Sequence, residues 1–447
     1  MIPIIEFQER ALRGPVMKVD EFDMEFAMKV RELVAKYDIK YNPEEFIVDD
    51  ATADAVYQAG VELLADIGLL HLDTERVINY TKEEIEAYVQ EWRENPAKVV
   101  LGKGKDEITI QYRTSTDINP PVLYSGPSGV AQEEWFAAYA QSFAQEPTVS
   151  ALGIVAGLDK LGEIRPKAGT LSEIYVGHWE QAQLKEMLRK VDRPDMHCGL
   201  LATVSTAAGI MAMVGDFRGP KNTHIGVHVI PEQKLNWNQL VMAQFCQDQG
   251  IVPWQSSMSL IGGLCRNAAD AAVGMIANLL GQLSYAHGPL CSIFTNHMDG
   301  KFGTPQTIWA TSAAMRAAER NIKIAIGGCA RGRGTRPVTG LLQSTAQAIA
   351  NTASGLEYLW IGGFTGLEAR YLGEAMDAVA GMPRNKASAL VSTIMAQVET
   401  KFGDEVKVKS SYFAELYDVE TVQPKTEYAD ALKRAKEELA RLGVPYP

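Results

Sequence analysis

Between residues 122 and 363, short apolar runs recur, each followed by glycine, serine or proline and then by a stretch with helical spacing. The eight runs are Val122–Gly126, Ala151–Ala156, Met196–Leu201, Ile225–Ile230, Val252–Leu260, Leu290–Thr295, Ile322–Gly327 and Tyr358–Gly363. Runs that are apolar throughout, rather than alternating, suit strands buried on both faces. The stretches between them, 132–145, 172–191, 231–248, 265–286, 304–320, 338–353 and 366–380, carry apolar residues three and four apart. Strands alternating with helices imply right-handed βαβ units and a parallel sheet. Eight units over about 260 residues fit an α/β fold of the (β/α)8 TIM-barrel class, with a doubly wound sheet as the alternative.

The flanks read differently. Residues 20–37 and 50–67 are amphipathic, the second with Asp50 and Thr52 placed to cap it. Thr81 with Glu84 forms a capping box that opens a helix over 81–95. Residues 98–113 hold two β-rich pieces around Gly102-Lys103-Gly104-Lys105-Asp106, a hairpin signature. After Pro383 the pattern is helical over 384–401 and again from Glu427 to Leu442, capped by Thr426 and stopped by Gly443. The chain thus divides into an N-terminal helical segment with a hairpin (1–121), a barrel (122–383) and C-terminal helices (384–447).

Composition narrows the function. The 447 residues are 46% hydrophobic and carry a formal charge of −12. That acidity argues against nucleic acid or an anionic membrane as the main partner. Five cysteines without a CxxC pair point to a reducing compartment. No apolar run reaches the ~18 residues of a membrane span. Glu6 and Glu9 interrupt what a signal peptide would need. The expectation is a cytoplasmic protein.

Barrel enzymes build their sites at the C-terminal ends of the strands. Here those ends carry Tyr124, His197-Cys198-Gly199, His228, Trp254 to Met258, Phe294 to Asp299, and the stretch from Gly327 to Arg336. The last is the strongest signal, because Arg331, Arg333 and Arg336 sit among glycines. Arginine forks hold carboxylate or phosphate bidentately. The pairs Gly327-Gly328 and Gly362-Gly363 fall where barrels bind phosphate, although plain turns need glycine too. His224 and His228, four apart on one strand, would stand about 13 Å apart and cannot share an ion. No motif supports a metal.

One resemblance covers nearly the whole chain. Tyr417 to Pro424, Glu427-Tyr428, Asn351-Thr352-Ala353-Ser354-Gly355, Gly366-Leu367-Glu368-Ala369-Arg370, Gly373-Glu374, Tyr80-Thr81 and Gly126-Pro127-Ser128-Gly129 resemble the monomethylamine:corrinoid methyltransferases. The resemblance implies a (β/α)8 barrel that moves a methyl group from a small methylated substrate to Co(I) of a corrinoid (cobalamin) carried by a partner corrinoid protein. It also implies a cytoplasmic homo-oligomer. Aligning Arg193-Pro194-Asp195-Met196 with the family's run puts Gly199 where the family has pyrrolysine. The family's nearby carboxylates fall at Ser256 and Ala202.

A site without pyrrolysine and those carboxylates suggests a changed donor. The preferred donor is a methoxylated aromatic acid, with Tyr124, Trp254, Ser256, Phe294 and the emptied Gly199 position lining its pocket and Arg331 and Arg333 holding its carboxylate. A phenolate leaving group needs a proton or a Lewis acid, so His297, Asp299 and His228 are the catalytic candidates. The alternatives are monomethylamine or another N-methyl donor, including a zwitterion held by the arginines, a barrel lyase or isomerase acting on a phosphorylated substrate, and a non-catalytic module that docks the corrinoid protein.

Overall fold

The computed structural model describes residues 2–199, 206–213, 219–332, 337–400 and 413–446. Eight strands occupy the positions of the eight apolar runs. They are β1 (Val122–Leu123), β2 (Leu152–Gly153), β3 (Cys198–Gly199), β4 (His224–Gly226), β5 (Val252–Ile261), β6 (Leu290–His297), β7 (Ala325–Ala330) and β8 (Leu356–Gly362). Six of them form one parallel sheet in the order β4-β5-β6-β7-β8-β1. A parallel bridge from Tyr124 to Ala151 joins β1 to β2. Leu152 pairs with Cys198 to join β2 to β3. The Cys198 amide donates to Asn222 just ahead of β4 at 3.0 Å, which closes the circle. The barrel expected from the sequence is therefore present.

Some boundaries move, each for a local reason. The seventh strand starts at Ala325 rather than Ile322, because Ile322 ends the preceding helix and Lys323 takes a positive φ of 58°. The helix expected at 231–248 begins only at Trp237, because Lys234-Leu235 pair in parallel with Leu70-His71. The helix Asp50–Ile67 is capped by Asp49, whose side chain accepts from the Thr52 amide at 2.8 Å, so Asp50 and Thr52 are not its caps. Thr426 is already helical, after the N-cap residue Lys425, which makes no side-chain cap bond. The Thr81–Glu84 capping box forms as expected, at 3.1 and 3.0 Å.

The N-terminal segment lies against the barrel. Asp50–Ile67 packs on the helices Ala268–Leu283 and Pro305–Asn321. Helix Ala268–Leu283 is consequently buried along its whole length, which explains why it is apolar on every face. The approach is so close that a Cβ at Gly60 would collide with the Ile276 side chain. The hairpin, Lys98–Leu101 against Ile108–Gln111, sits under the N-terminal ends of β7 and β8, where Ala97 bonds Lys323 and Gln111 bonds Glu357. Helices Arg384–Thr400 and Thr426–Arg441 cover Pro337–Thr352.

One element was not expected. Ser128–Ala131 pairs in parallel with Val155–Leu158, so β1 and β2 resume as a second ladder beyond the barrel's C-terminal rim. Gly126-Pro127 interrupts β1, and the chain is extended again from Ser128, so Ser128 and Gly129 belong to the second ladder. All five cysteines are buried and free. No described helix is long and apolar enough to cross a membrane.

Candidate functional site at the C-terminal mouth

On β5, Ser257 and Ser259 face outward to the surrounding helix and to Glu232. By alternation, Trp254, Ser256, Met258 and Leu260 face the lumen. Trp254 is sealed off, whereas Ser256, Met258 and Leu260 keep partial exposure, so the lumen is packed low down and open toward the C-terminal end. On β6 the same face carries Ser292, Phe294 and Asn296, again buried first and then partly exposed.

The sealed layer is aromatic and fully buried. Trp254 and Trp360 lie with ring centroids 3.9 Å apart, and the Trp254 Nε1–H donates to the Tyr358 hydroxyl at 3.1 Å. Ser292 adds a second hydroxyl to Tyr358 at 3.3 Å. On the opposite side, the Tyr124 hydroxyl and His197 Nε2 meet His224 Nδ1 at 2.5 and 3.1 Å. His197 Nδ1 must donate to the Lys221 carbonyl, 2.8 Å away, since a carbonyl only accepts.

This layer overturns one expectation. Gly199 does not enlarge a pocket floor. A Cβ there would stand 2.8 Å from His224 Nδ1 and 2.9 Å from the His224 amide. The space is taken by His224, held in place by Tyr124 and His197. Tyr124 and Trp254, each 1% exposed, belong to this packed floor and not to an open pocket wall.

Above the floor, His228 follows β4 and shares a 2.9 Å hydrogen bond with Ser256 on β5. The backbone of His228 is pinned on its own account, with its amide donating to Gln239 at 2.6 Å and its carbonyl accepting from Tyr285 at 3.0 Å. Burial drives the His228 pKa down to about 4, so the ring is neutral at ordinary pH. Phe294 continues the aromatic wall, 6.2 Å from Trp360, and lines a small cavity with Phe302, Cys329, Gln347 and Asn351.

His297 and Asp299 do not join this group. His297 Nε2 bonds Thr304 at 2.8 Å, and burial lowers its pKa. Asp299 lies in the exposed turn beyond β6, where its carboxylate pairs with Lys301 at 2.5 Å, and that partner holds its pKa below the usual carboxylate range. The turn that ends the strand carries Asp299 out to solvent, which the strand-end position in the sequence does not reveal.

Arg331 is described, and Arg333 and Arg336 lie outside the described residues. The main chain of Arg331 is clamped on both sides by Gln347, and its guanidinium lies 5.3 Å over the Phe302 ring. The paired glycines of β7 and β8 serve packing. A Cβ at Gly327 would collide with the Tyr358 ring, and one at Gly328 would stand 2.6 Å from Met315. At Gly363, the Glu368 carboxylate takes the Phe364 amide that an anion would use. The phosphate reading of these glycines therefore has no cradle to rest on. Among the described residues no group of three His, Cys, Asp or Glu could hold a metal ion.

Sequence reasoning missed Tyr358 as the polar hub of the floor and the meeting of Tyr124, His197 and His224. Both depend on strands that neighbour only after the barrel closes. Tyr358 opens the eighth run and reads there as an apolar residue.

The fold is that of a TIM-barrel enzyme, with a candidate site at its C-terminal mouth. Comparison with known proteins gives the family. The model of the family "Monomethylamine methyltransferase MtmB" matches residues 2–444. Monomethylamine methyltransferase MtmB of Methanosarcina mazei is 25% identical, across 99% of this chain and 98% of its own. MtmB2 of Methanosarcina barkeri is 26% identical with the same coverage. The crystal structure of the M. barkeri MtmB superposes with a TM-score of 0.91 at 24% identity, covering 99% of this chain and 98% of the other, and that of its hydroxylamine complex does equally well. The chain belongs to the MtmB family and is a corrinoid-dependent methyltransferase.

Proposed function

We propose that the chain takes the methyl group of a small N-methyl donor, bound at the C-terminal mouth, and passes it to Co(I) of a partner corrinoid protein. Relatives along the full length are named for monomethylamine. The observation that carries the choice of nitrogen over oxygen is the protonation of the site. An aryl ether expels a phenolate, which needs an acid. His228 is neutral with a pKa near 4, burial lowers the pKa of His297, and Asp299 is an ionised surface group. His228 is therefore neutral near pH 7, and the pKa values of His297 and Asp299 are shifted away from holding a proton there. An N-methylammonium donor brings its own proton. When the C–N bond breaks, the nitrogen keeps the bonding pair and leaves as a neutral amine, while the methyl carbon bonds to cobalt.

The side chains described here then have limited tasks. Trp254 and Trp360 close the lumen against water from below, and Phe294 with Trp360 gives an apolar wall for the methyl group. Ser256 and His228 offer neutral hydrogen bonds. A methoxylated aromatic acid is supported less well, because His224 already fills the place beside Gly199 and the glycine opens no room there for the donor's ring.

The test is a donor screen with the reduced partner, following the visible spectrum as Co(I) becomes methyl-Co(III). N-methyl donors are expected to react and methoxybenzoates to fail. Turnover of methoxybenzoates with none of any N-methyl compound would overturn the proposal.

A further inference from the structure

We infer that the donor carries a carboxylate as well as its N-methyl group, and that Arg331 at the end of β7 is the carboxylate-binding residue. The inference rests on the N-methyl reading and narrows its substrate class to N-methyl amino acids.

The first observation is an unsatisfied cation. Arg331 is partly buried, and its Nε is buried with no hydrogen-bond partner. Among the described residues, no carboxylate lies within ion-pair distance of its guanidinium, although the protein has 55 acidic residues against 43 basic ones. Arg316 and Arg320 pair with Asp50, Asp54 and Glu319, whereas the buried Arg113 gives its fork to backbone carbonyls instead. A buried Nε–H without a partner is costly unless a ligand completes it.

The second observation is where it sits. Gln347 holds the Arg331 backbone from both sides, and the guanidinium stacks on Phe302. Its charge also reaches Tyr139, on the helix after β1, and Cys329 on β7, opposing the burial that pushes both pKa values up to about 12. The group therefore stands at the mouth between the β6 and β1 sides. Aromatic rings connect it to the lumen floor, with Trp254 against Trp360, Trp360 against Phe294, and Phe294 sharing a cavity wall with Phe302.

The third is the charge balance. The lumen residues Ser256, Met258, Leu260, Phe294, Asn296 and Trp360 include no acid, and His228 is neutral. A bare methylammonium would enter with one positive charge to meet another at Arg331, and the carboxylate whose charge also reaches Tyr139, that of Glu368 after β8, is already engaged by the Phe364 amide and the Tyr428 hydroxyl. A zwitterion removes the conflict. Its carboxylate takes the guanidinium fork, and its N-methyl cation lies along the aromatic faces, which attract cations.

The test separates this inference from the reading beneath it. Calorimetry on the chain alone, without the corrinoid partner, compares N-methylglycine with methylamine for the wild type, R331Q and R331K. N-methylglycine is expected to bind more tightly than methylamine. R331Q is expected to weaken N-methylglycine binding by about 10- to 100-fold, the range for losing a charged hydrogen-bonding partner, with partial rescue in R331K. Thermal melting checks that each variant is folded. Methylamine binding as tightly as N-methylglycine, or a folded R331Q that binds N-methylglycine unchanged, overturns the subsite. In the turnover arm, the kcat/KM ratio of the two donors is expected to collapse in R331Q through KM, and an unchanged ratio counts against the inference. Tight, Arg331-dependent binding of N-methylglycine without methylation of cobalt by any N-methyl donor would sink the N-methyl transfer reading and leave the subsite standing.

Discussion

His228 offers a quantitative check on the electrostatics of the mouth. A free imidazole titrates at 6.5, and in the folded protein burial lowers this ring to about 4. The unfolded chain therefore binds a proton between these values that the folded chain refuses. The sign follows from linkage. The folded pKa is depressed, so the stability tied to His228 is present in full above about pH 6.5 and is lost as pH falls toward 4. The full interval is worth roughly 3 kcal/mol at 1.36 kcal/mol per pH unit, and the ring's partial exposure to the lumen trims this to roughly 2–3 kcal/mol.

The perturbation is His228→Asn, which keeps a hydrogen-bonding side chain for Ser256 and leaves the backbone pinned by Gln239 and Tyr285. The assay is urea unfolding of both proteins at intervals from pH 4.5 to pH 8, read as the stability difference at each pH. Other groups, including His287 at about 4, are common to both proteins and cancel in that difference. The His228→Asn variant is expected to gain on the wild type by about 2 kcal/mol between pH 7.5 and pH 4.5. A difference that stays flat across this range would show that His228 titrates normally. The mouth would then hold a usable acid, and the case for a nitrogen donor would lose its main support.

Three further outcomes are expected. Glu357, buried near the start of β8 and bonded to the Gln111 amide, has its pKa raised by burial to about 7, so its contribution is lost as pH rises from 4.5 through 7. Glu357→Gln should gain roughly 3 kcal/mol on the wild type across that interval in the same urea series, and a flat difference refutes it. Gly199→Ala would place a Cβ 2.8 Å from His224 Nδ1 and push that ring off Tyr124, with a thermal-melt loss of about 1–3 kcal/mol; an unchanged melting temperature means the floor has slack. Asp299→Asn should change methyl transfer less than twofold, because the carboxylate is exposed and engaged by Lys301; a tenfold loss of kcat would return Asp299 to the site.

The barrel was legible because its signal is local. Each βαβ unit writes an apolar run, a break and a periodic helix into consecutive residues, so the eight strands fall where the runs are. The ends of elements were less legible where a distant partner decides them. Lys234 and Leu235 read as helix but pair with Leu70 and His71, more than 160 residues away in sequence. The site was legible as a list of strand ends and illegible as an arrangement. Asp299 and Arg331 both follow strands, yet one turn points to solvent and the other residue is clamped at the mouth by Gln347. Nothing near either residue in sequence distinguishes them, because the distinction lies in what the neighbouring helix supplies.

The position of Gly199 shows how composition at one site misleads without its neighbours. Read alone, a glycine where the family resemblance calls for a long side chain means an emptied pocket. In the fold, His224 occupies the place next to it and is itself fixed by Tyr124 and His197, so packing rather than a cavity fills the position. Any electrophilic or charge-pairing task expected of a residue there must fall to groups higher in the lumen. The lumen-facing side chains of β5 and β6 at that height, Ser256, Met258, Phe294 and Asn296, carry no charge, and Arg331 stands at the mouth beside them. If Arg331 binds the donor as proposed, its positive charge disfavours a small bare cation there and favours a molecule that carries its own counter-charge. On the proposed reading, donor choice turns on the mouth of the barrel, at Arg331, and not on its floor at Gly199.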